Sequence, residues 1–405
     1  MRPTLLVLGA GESQLPTYRA ARRLGYRVVG VDRRDDAEAR PLCDRFLPVS
    51  TADPGGIIAA LRGTRPAGVM APASDPSVPV QRSLGLAYRT PFVTPARAVR
   101  ASSDKAWFRW LLDRLGLPRY DWVDGTREVE LAGRAAARLR LPMIVKPVDA
   151  AGSRGIALVR ETAELVGAIR EARAWSPRGR VIVEEFVTGR HFSVEAFLED
   201  GRLAVMAVSE RTVTGPPSFI TVSHLLPAEL DQATARRIRH QVELVCAAIG
   251  LRQGPVNLDL VVDHRDEAYL VELGARLGGN GLGRLIARTL GVNLVEPAIR
   301  LAVGERVRLR RTRRPRHRAG IVYALHAPHR GTLASVDGAR AVRRIPEVLE
   351  LELHASVGST VHAYDQAADK LGYLTLVGDS PAQVRSALTR ALATLRLEVT
   401  QGAEP

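Results

Sequence analysis

A chain of 405 residues, 46% apolar and 25% charged, has the length for two or three domains with substantial cores and an ordinary globular composition. Its two cysteines, Cys43 and Cys246, stand far apart in apolar or mixed surroundings, which argues against a disulfide framework or a zinc site. The net charge of +15 invites a nucleic-acid reading, but eight of the arginines lie in one run, residues 306–318, and without it the surplus is about +7. At the N-terminus, residues 5–8 read as a strand, 9–11 as a turn and 15–24 as an amphipathic helix closed by Gly25. The apolar start is too short for a signal h-region, and no later run reaches membrane-spanning length, so a cytoplasmic protein is expected. A second strand at 27–31 ends at Asp32. A helix at 54–61, a third strand at 68–71 and a helix at 79–85 complete the rhythm of a parallel sheet covered by helices. Pro91 and Pro95 mark a boundary, so residues 1–100 are assigned to a Rossmann-like α/β domain.

A helix is expected over residues 105–115. Strand signals then dominate, at 143–146, 155–159, 181–186, 192–198, 203–209, 257–262 and 268–272, with helices at 162–172 and 231–249. Residues 101–305 therefore read as an α+β domain with a largely antiparallel sheet. The arginine run has Pro315 inside it and no aromatic interleaving. It reads as a solvated connector over 306–318, and nucleic acid is not the expected partner. Residues 319–405 read as a small α+β lobe, with strands at 320–325, 349–353, 360–363 and 373–378. A helix at 380–397 follows, with Ser380 and Pro381 in its cap and first turn.

Only three of the 58 basic residues are lysine: Lys105, Lys146 and Lys370. In a chain that otherwise uses arginine, a retained lysine points to a compact ammonium and not a planar guanidinium fork. Lys146 lies in an apolar, strand-like run. Gly152, Ser153, Arg154 and Gly155 follow it, a small-residue loop of the kind that lays backbone N–H groups against phosphate oxygens. The strand at 181–187 ends in Glu184, Glu185, Phe186 and Val187, and an exposed strand end is suited to reading the edge of an adenine. Asp259 and Glu272 fall on two strands joined around residues 264–266, where their oxygens could converge on Mg²⁺. Arg276 comes four residues after Glu272 and could aim a fixed cation at charge developing beside the metal. Gly9, Gly11 and Asp32 make a partial dinucleotide fingerprint, the basis of a rival NAD(P) oxidoreductase reading. Gln14 replaces the third glycine and Glu12 puts a carboxylate where a pyrophosphate would approach, so the turn is read as structural.

In this order and spacing the chain resembles the ATP-grasp superfamily over nearly its whole length. Residues 9–16 and 272–279, and Gly215 to Phe219 with His224 and Pro227, are similar to carboxylate–amine ligases of the L-amino acid ligase kind. The lobe after Arg318 is similar to the extra C-terminal domain of that group. The resemblance implies an N-terminal pre-ATP-grasp domain, a central ATP-grasp domain, and ATP and Mg²⁺ as cofactors. It implies Lys105 and Lys146 on the ATP phosphates under a loop of Gly152, Ser153 and Gly155, and Glu184, Glu185 and Val187 around adenine. It further implies Asp259 and Glu272 on Mg²⁺, Arg276 on the acyl-phosphate and tetrahedral species, and His224 on the transferred phosphoryl group or a substrate carboxylate. Two positions depart from the pattern: His191 stands where a ribose-contacting acid is common, and Gly274 where a second metal-side asparagine is common. The implied activity is ATP-dependent amide formation from small-molecule carboxylate and amine substrates through an acyl phosphate. An ATP-dependent carboxylase of the purine or biotin type is the alternative, and a homodimer stays open.

Overall fold

The computed structural model describes residues 2–216, 218–309, 315 and 317–400; residues 310–314 and 316, most of the arginine run's core, lie outside the described residues. The N-terminal strands form a parallel sheet in the order Arg45–Leu47, Arg27–Val31, Thr4–Leu8, Gly68–Met70. Thr4–Leu8 is buried at every position, as a strand covered on both faces must be. One face, with Leu6, Leu8, Val29 and Val31, packs on Ile57 and Leu61 of the helix Pro54–Leu61. The other, with Leu5, Val7 and Val28, meets Tyr18 and Ala21 of the helix Leu15–Arg23, and the same core includes Ile299 and Leu301 of the helix Val295–Ala302. A helix nearly 300 residues downstream therefore shares the core of the first sheet, a pairing that no local pattern announces.

Two antiparallel sheets follow, and a third, three-stranded one joins Thr360–Val361, Gly331–Asp337 and Arg396–Thr400. The smaller of the two runs Trp122–Gly125, Val181–Glu185, Met143–Pro147, Ala157–Val159, with the helices Glu128–Arg138 and Leu165–Ala174 sharing its core. Glu128–Arg138 has no counterpart among the sequence signals: its N-cap is Arg127 with no side-chain cap, and only Leu131, Ala132 and Ala135 are buried. The larger sheet has eight strands, in the order Ala268–Gly274, Gly254–Val262, Arg190–Glu199, Arg202–Val213, Thr221–Leu226, Ala319–His326, Lys370–Gly378, Val348–Leu353. The C-terminal α+β lobe thus shares its sheet with the central domain, through antiparallel pairing of Thr221–Leu226 with Ala319–His326. The helix Pro381–Thr394, capped by Ser380, packs on these C-terminal strands. It stops short of the expected residue 397, because alternating Arg396–Thr400 pairs as a strand with Gly331–Asp337.

Candidate active site

A cleft of 480 Å³ receives side chains from the four- and eight-stranded antiparallel sheets, the N-terminal domain and the C-terminal lobe. Part of its wall is apolar and aromatic. Phe186 and Val187 follow the strand Val181–Glu185, the Phe186 and Phe219 rings lie 5.5 Å apart, and His191 stacks on Phe219 at 6.5 Å. Burial and the nearby Arg211 charge push the His191 imidazole down to about 4, so it lines the wall as a neutral ring. Such walls suit a flat heteroaromatic group.

Beside this wall sit the cations. Lys146 comes from the strand Met143–Pro147 and is 5% exposed, ion-paired to Glu184 on the neighbouring strand. Glu184 is held on its other side by Arg109, whose Nε donates at 2.6 Å. Burial works against the Glu184 charge, but Arg109 and Lys146 together hold its carboxyl below the usual range. Burial lowers the Lys146 ammonium, with Arg109 and Lys105 adding to the effect. An anion arriving in the cleft would relieve that excess of positive charge. Lys105 opens the helix Lys105–Arg114, capped by Asp104; its Nζ donates to the Ala150 carbonyl at 2.6 Å and lies 4.0 Å from Glu272. One lysine therefore tethers the start of the glycine loop and reaches toward a strand carboxylate.

The hairpin of Gly254–Val262 and Ala268–Gly274 sets Asp259 directly opposite Glu272. Along the first strand Leu258 and Leu260 enter the core while Asn257 and Asp259 line the cleft, the period-two alternation of a half-buried strand. Like charges placed opposite each other across two strands are destabilising unless a cation joins them. Here the cations are Lys105 beside Glu272 and Arg211, which is ion-paired to Asp259 and held from behind by Thr221. Burial and the facing Glu272 raise the Asp259 carboxyl, against the pull of Arg211. Partial desolvation disfavours the Glu272 charge although its side chain is 48% exposed, but Lys105 and Lys146 win and hold it low. Two carboxylates fit Mg²⁺ when phosphate and water complete its shell. Among the described residues no group of three or more His, Cys, Asp or Glu could hold an ion unaided. The donor set thus suits a metal delivered with phosphates, and Arg211 would give up its place on Asp259.

Arg276 also lines the cleft, and its guanidinium is fixed before any ligand binds. Asp75 of the N-terminal domain accepts from its Nε at 2.9 Å and its Nη2 at 2.5 Å, and Asn257 accepts from Nη1 at 3.2 Å. Behind it Glu195, pushed up to about 7 by burial, accepts the Gly278 N–H at 2.9 Å and an Asn257 N–H at 3.1 Å. His224 is 5% exposed with Nδ1 3.0 Å from Ser209 Oγ; burial, then Arg211, pushes it down to about 3. It faces the cleft as a neutral imidazole, so it offers a hydrogen bond and not a charge.

Of the residues singled out in the sequence, Lys105, Lys146, Gly152, Ser153, Glu184, Glu185, Val187, His191, His224, Asp259, Glu272 and Arg276 all line this one cleft. Gly155 does not. A family model described as the ATP-grasp domain matches residues 139–283, and one described as L-amino acid ligase C-terminal domain 2 matches residues 323–400. The chain carries an ATP-grasp domain. An uncharacterized protein, y4rH, of Sinorhizobium fredii is 27% identical over 305 residues, which cover 74% of this chain and 61% of that protein. A formate-dependent phosphoribosylglycinamide formyltransferase of Rhodococcus jostii is 29% identical over 306 residues, covering 71% and 72%. Against the arginine-specific carbamoyl phosphate synthase large chain of Schizosaccharomyces pombe the match spans 18% of that longer protein. The solved L-amino acid ligase of Bacillus licheniformis shares the fold with a TM-score of 0.85 at 21% identity, over 99% of both chains. Phosphoribosylglycinamide synthetase of Anaerococcus prevotii does so with a TM-score of 0.77 at 19% identity, over 99% and 100%.

Several cleft residues were not singled out in the sequence. Asp75 follows the C-terminal end of the parallel strand Gly68–Met70, the place where open α/β sheets bind ligands, so a signal for it existed. Arg109, Arg211 and Glu195 carried none; each looks like an ordinary helix or strand charge until the chain folds. The partial dinucleotide turn is occupied by its own structure. Asp32 accepts the N–H groups of Ala10 at 3.0 Å and Arg34 at 3.0 Å, and Gln14 donates to the Pro72 carbonyl. In the glycine loop, Gly155 has φ +67° and a Cβ there would meet the Trp175 ring at 2.7 Å, whereas Gly152, at φ +75°, has open space. Gly155→Ala should therefore destabilise the protein by ~1–3 kcal/mol, clearly more than Gly152→Ala in matched thermal melts; equal melts would mean the loop sits elsewhere.

Proposed function

We propose that this protein is an ATP-dependent ligase that joins a carboxylate to an amine. The observation that carries the reading is the shared cleft, where two lysines, two opposed carboxylates and a pre-fixed arginine flank an aromatic wall. In the reaction, the substrate carboxylate attacks the γ-phosphate in line and ADP leaves, forming an acyl phosphate. The amine then attacks the activated carbonyl, loses a proton, and inorganic phosphate departs. Lys105 and Lys146 neutralise the triphosphate while Glu184 and Arg109 hold Lys146 in place. Asp259 and Glu272 would hold Mg²⁺, which supplies charge neutralisation of the phosphates as they transfer. Arg276, steadied by Asp75, meets the oxyanion of the tetrahedral species. Phe186, Val187 and His191 take the adenosine, with the neutral imidazole available to a ribose hydroxyl.

The relatives support this reading in their names: one for formate-dependent formyl transfer to phosphoribosylglycinamide, one structural neighbour as an L-amino acid ligase. The test is an ADP-release screen of small acids paired with amines, with the product weighed by mass spectrometry. An amine-dependent amide product is expected. ADP release without such a product sinks the ligase reading, and bicarbonate-dependent release in its place would identify a carboxylase.

A further inference from the structure

Resting on the ligase reading, we propose that Lys370 anchors a carboxylate that one substrate carries in addition to its reacting group. Lys105, Lys146 and Lys370 are the only lysines among 58 basic residues, and all three line the same cleft. The first two face the triphosphate machinery. Lys370 lies apart from it, where the C-terminal strand Lys370–Gly378 meets the N-terminal turn and Asn280, and its side chain is 7% exposed.

Its ammonium has three donors. Glu12 takes one at 2.7 Å and Asn280, in a left-handed conformation with φ +52°, takes another at 3.2 Å. Tyr373 closes the back of this cluster: its ring lies 5.2 Å from the ammonium, and its hydroxyl donates to Glu12 at 3.1 Å. Among the described residues no third acceptor takes this ammonium, which leaves one donor for the cleft that Lys370 lines together with Ser13, whose own hydroxyl donates to Glu12 at 2.7 Å. A buried ion pair contributes little net stability, so a structural role alone does not explain why this position kept a lysine. Because Glu12 already offsets part of its charge, Lys370 suits a single carboxylate and not a polyphosphate, whose cations lie elsewhere. The carboxylate belongs either to the amine substrate or to a dicarboxylic acid; both present the same group.

The test uses the full chain with Mg–ATP. The amine probes are the common amino acids and their C-terminal amides; the acid probes are succinate and its monoamide. Wild type should favour free-carboxylate probes by about 10-fold or more in kcat/KM, the effect of about one lost charged hydrogen bond. Lys370→Met, which keeps the apolar stem on Tyr373, should raise KM for those probes by about 10-fold and erase the preference, with kcat and the KM for ATP little changed. Lys370→Arg should not restore it, since a planar fork does not fit between Glu12 and Asn280. Glu12→Gln should act in the opposite direction, lowering KM for the free-carboxylate probes by freeing the Lys370 charge. The side of the reaction on which the preference is lost identifies which substrate carries the carboxylate. Amide formation by Lys370→Met with an unchanged KM, or equal use of amidated probes by wild type, overturns this inference and leaves the ligase reading standing. Absence of any amide product from wild type overturns both.

Discussion

Lys146→Ala is expected to lower ADP release by at least ~10²–10³-fold, about 2.7–4 kcal/mol of transition-state stabilisation, as removal of one pre-organised electrostatic partner does elsewhere. The ammonium is 5% exposed and fixed by Glu184, so its charge acts in a cleft that screens it poorly. Lys146→Arg should not rescue, because a planar guanidinium does not reproduce the compact, buried ammonium paired to Glu184. Lys146→Ala leaves Glu184 Oε2 without its cation while Arg109 still pairs with Oε1, so some stability is lost along with activity and folding has to be verified beside turnover. Glu272→Ala should lose turnover to a similar degree for a different reason. It removes one of the two opposed carboxylates and strands Lys105 beside an uncharged strand. Steady-state ADP release of the two variants, with circular dichroism to verify folding, measures this. Near-wild-type turnover in both would place the chemistry outside this cleft.

Arg109→Ala carries the largest expected stability loss, about 3–5 kcal/mol, the cost of breaking a fully buried ion pair on one side. The guanidinium is 1% exposed and reaches three partners on two sheets: Glu184 at 2.6 Å, the Leu270 carbonyl at 3.2 Å and the Val271 carbonyl at 2.5 Å. Its loss leaves those acceptors short of a donor and disconnects the strand bearing Lys146's partner from the strand bearing Glu272. Arg109→Lys cannot span all three acceptors and should recover only part of the loss. Urea denaturation followed by circular dichroism gives the number. A change under about 1 kcal/mol would mean the charge is solvated and the pair is incidental.

The local alphabet of this protein was open to reading. Thr4–Leu8 and Met143–Pro147 are apolar runs of strand length, Pro54–Leu61 starts on an Asp cap with proline in its first turn, and Pro381–Thr394 starts on Ser380. The candidate site was legible where chemistry needs an unusual residue: a lysine in an arginine-rich chain, a glycine loop, carboxylates on strands. It was illegible where a common residue acquires its role by burial. Arg109 sits on a helix among Trp107, Trp110 and Arg114, and nothing in that stretch distinguishes it from a solvated arginine.

Sequence alone announced most of the helices and strands and many of the residues that line the cleft. Those depend on periodicity, caps and residue chemistry, which act over a few neighbours. Tertiary structure alone decided that Val295–Ala302 shares the core of the first sheet, that Ala319–His326 extends the central sheet, and that Asp75 clamps Arg276 across 201 positions. It also decided that Lys370, unremarkable in its own segment, meets Glu12 at the cleft wall. Contacts of that kind form because burying apolar faces brings distant strands and helices into register, and the charges they carry are then placed together without any local signal.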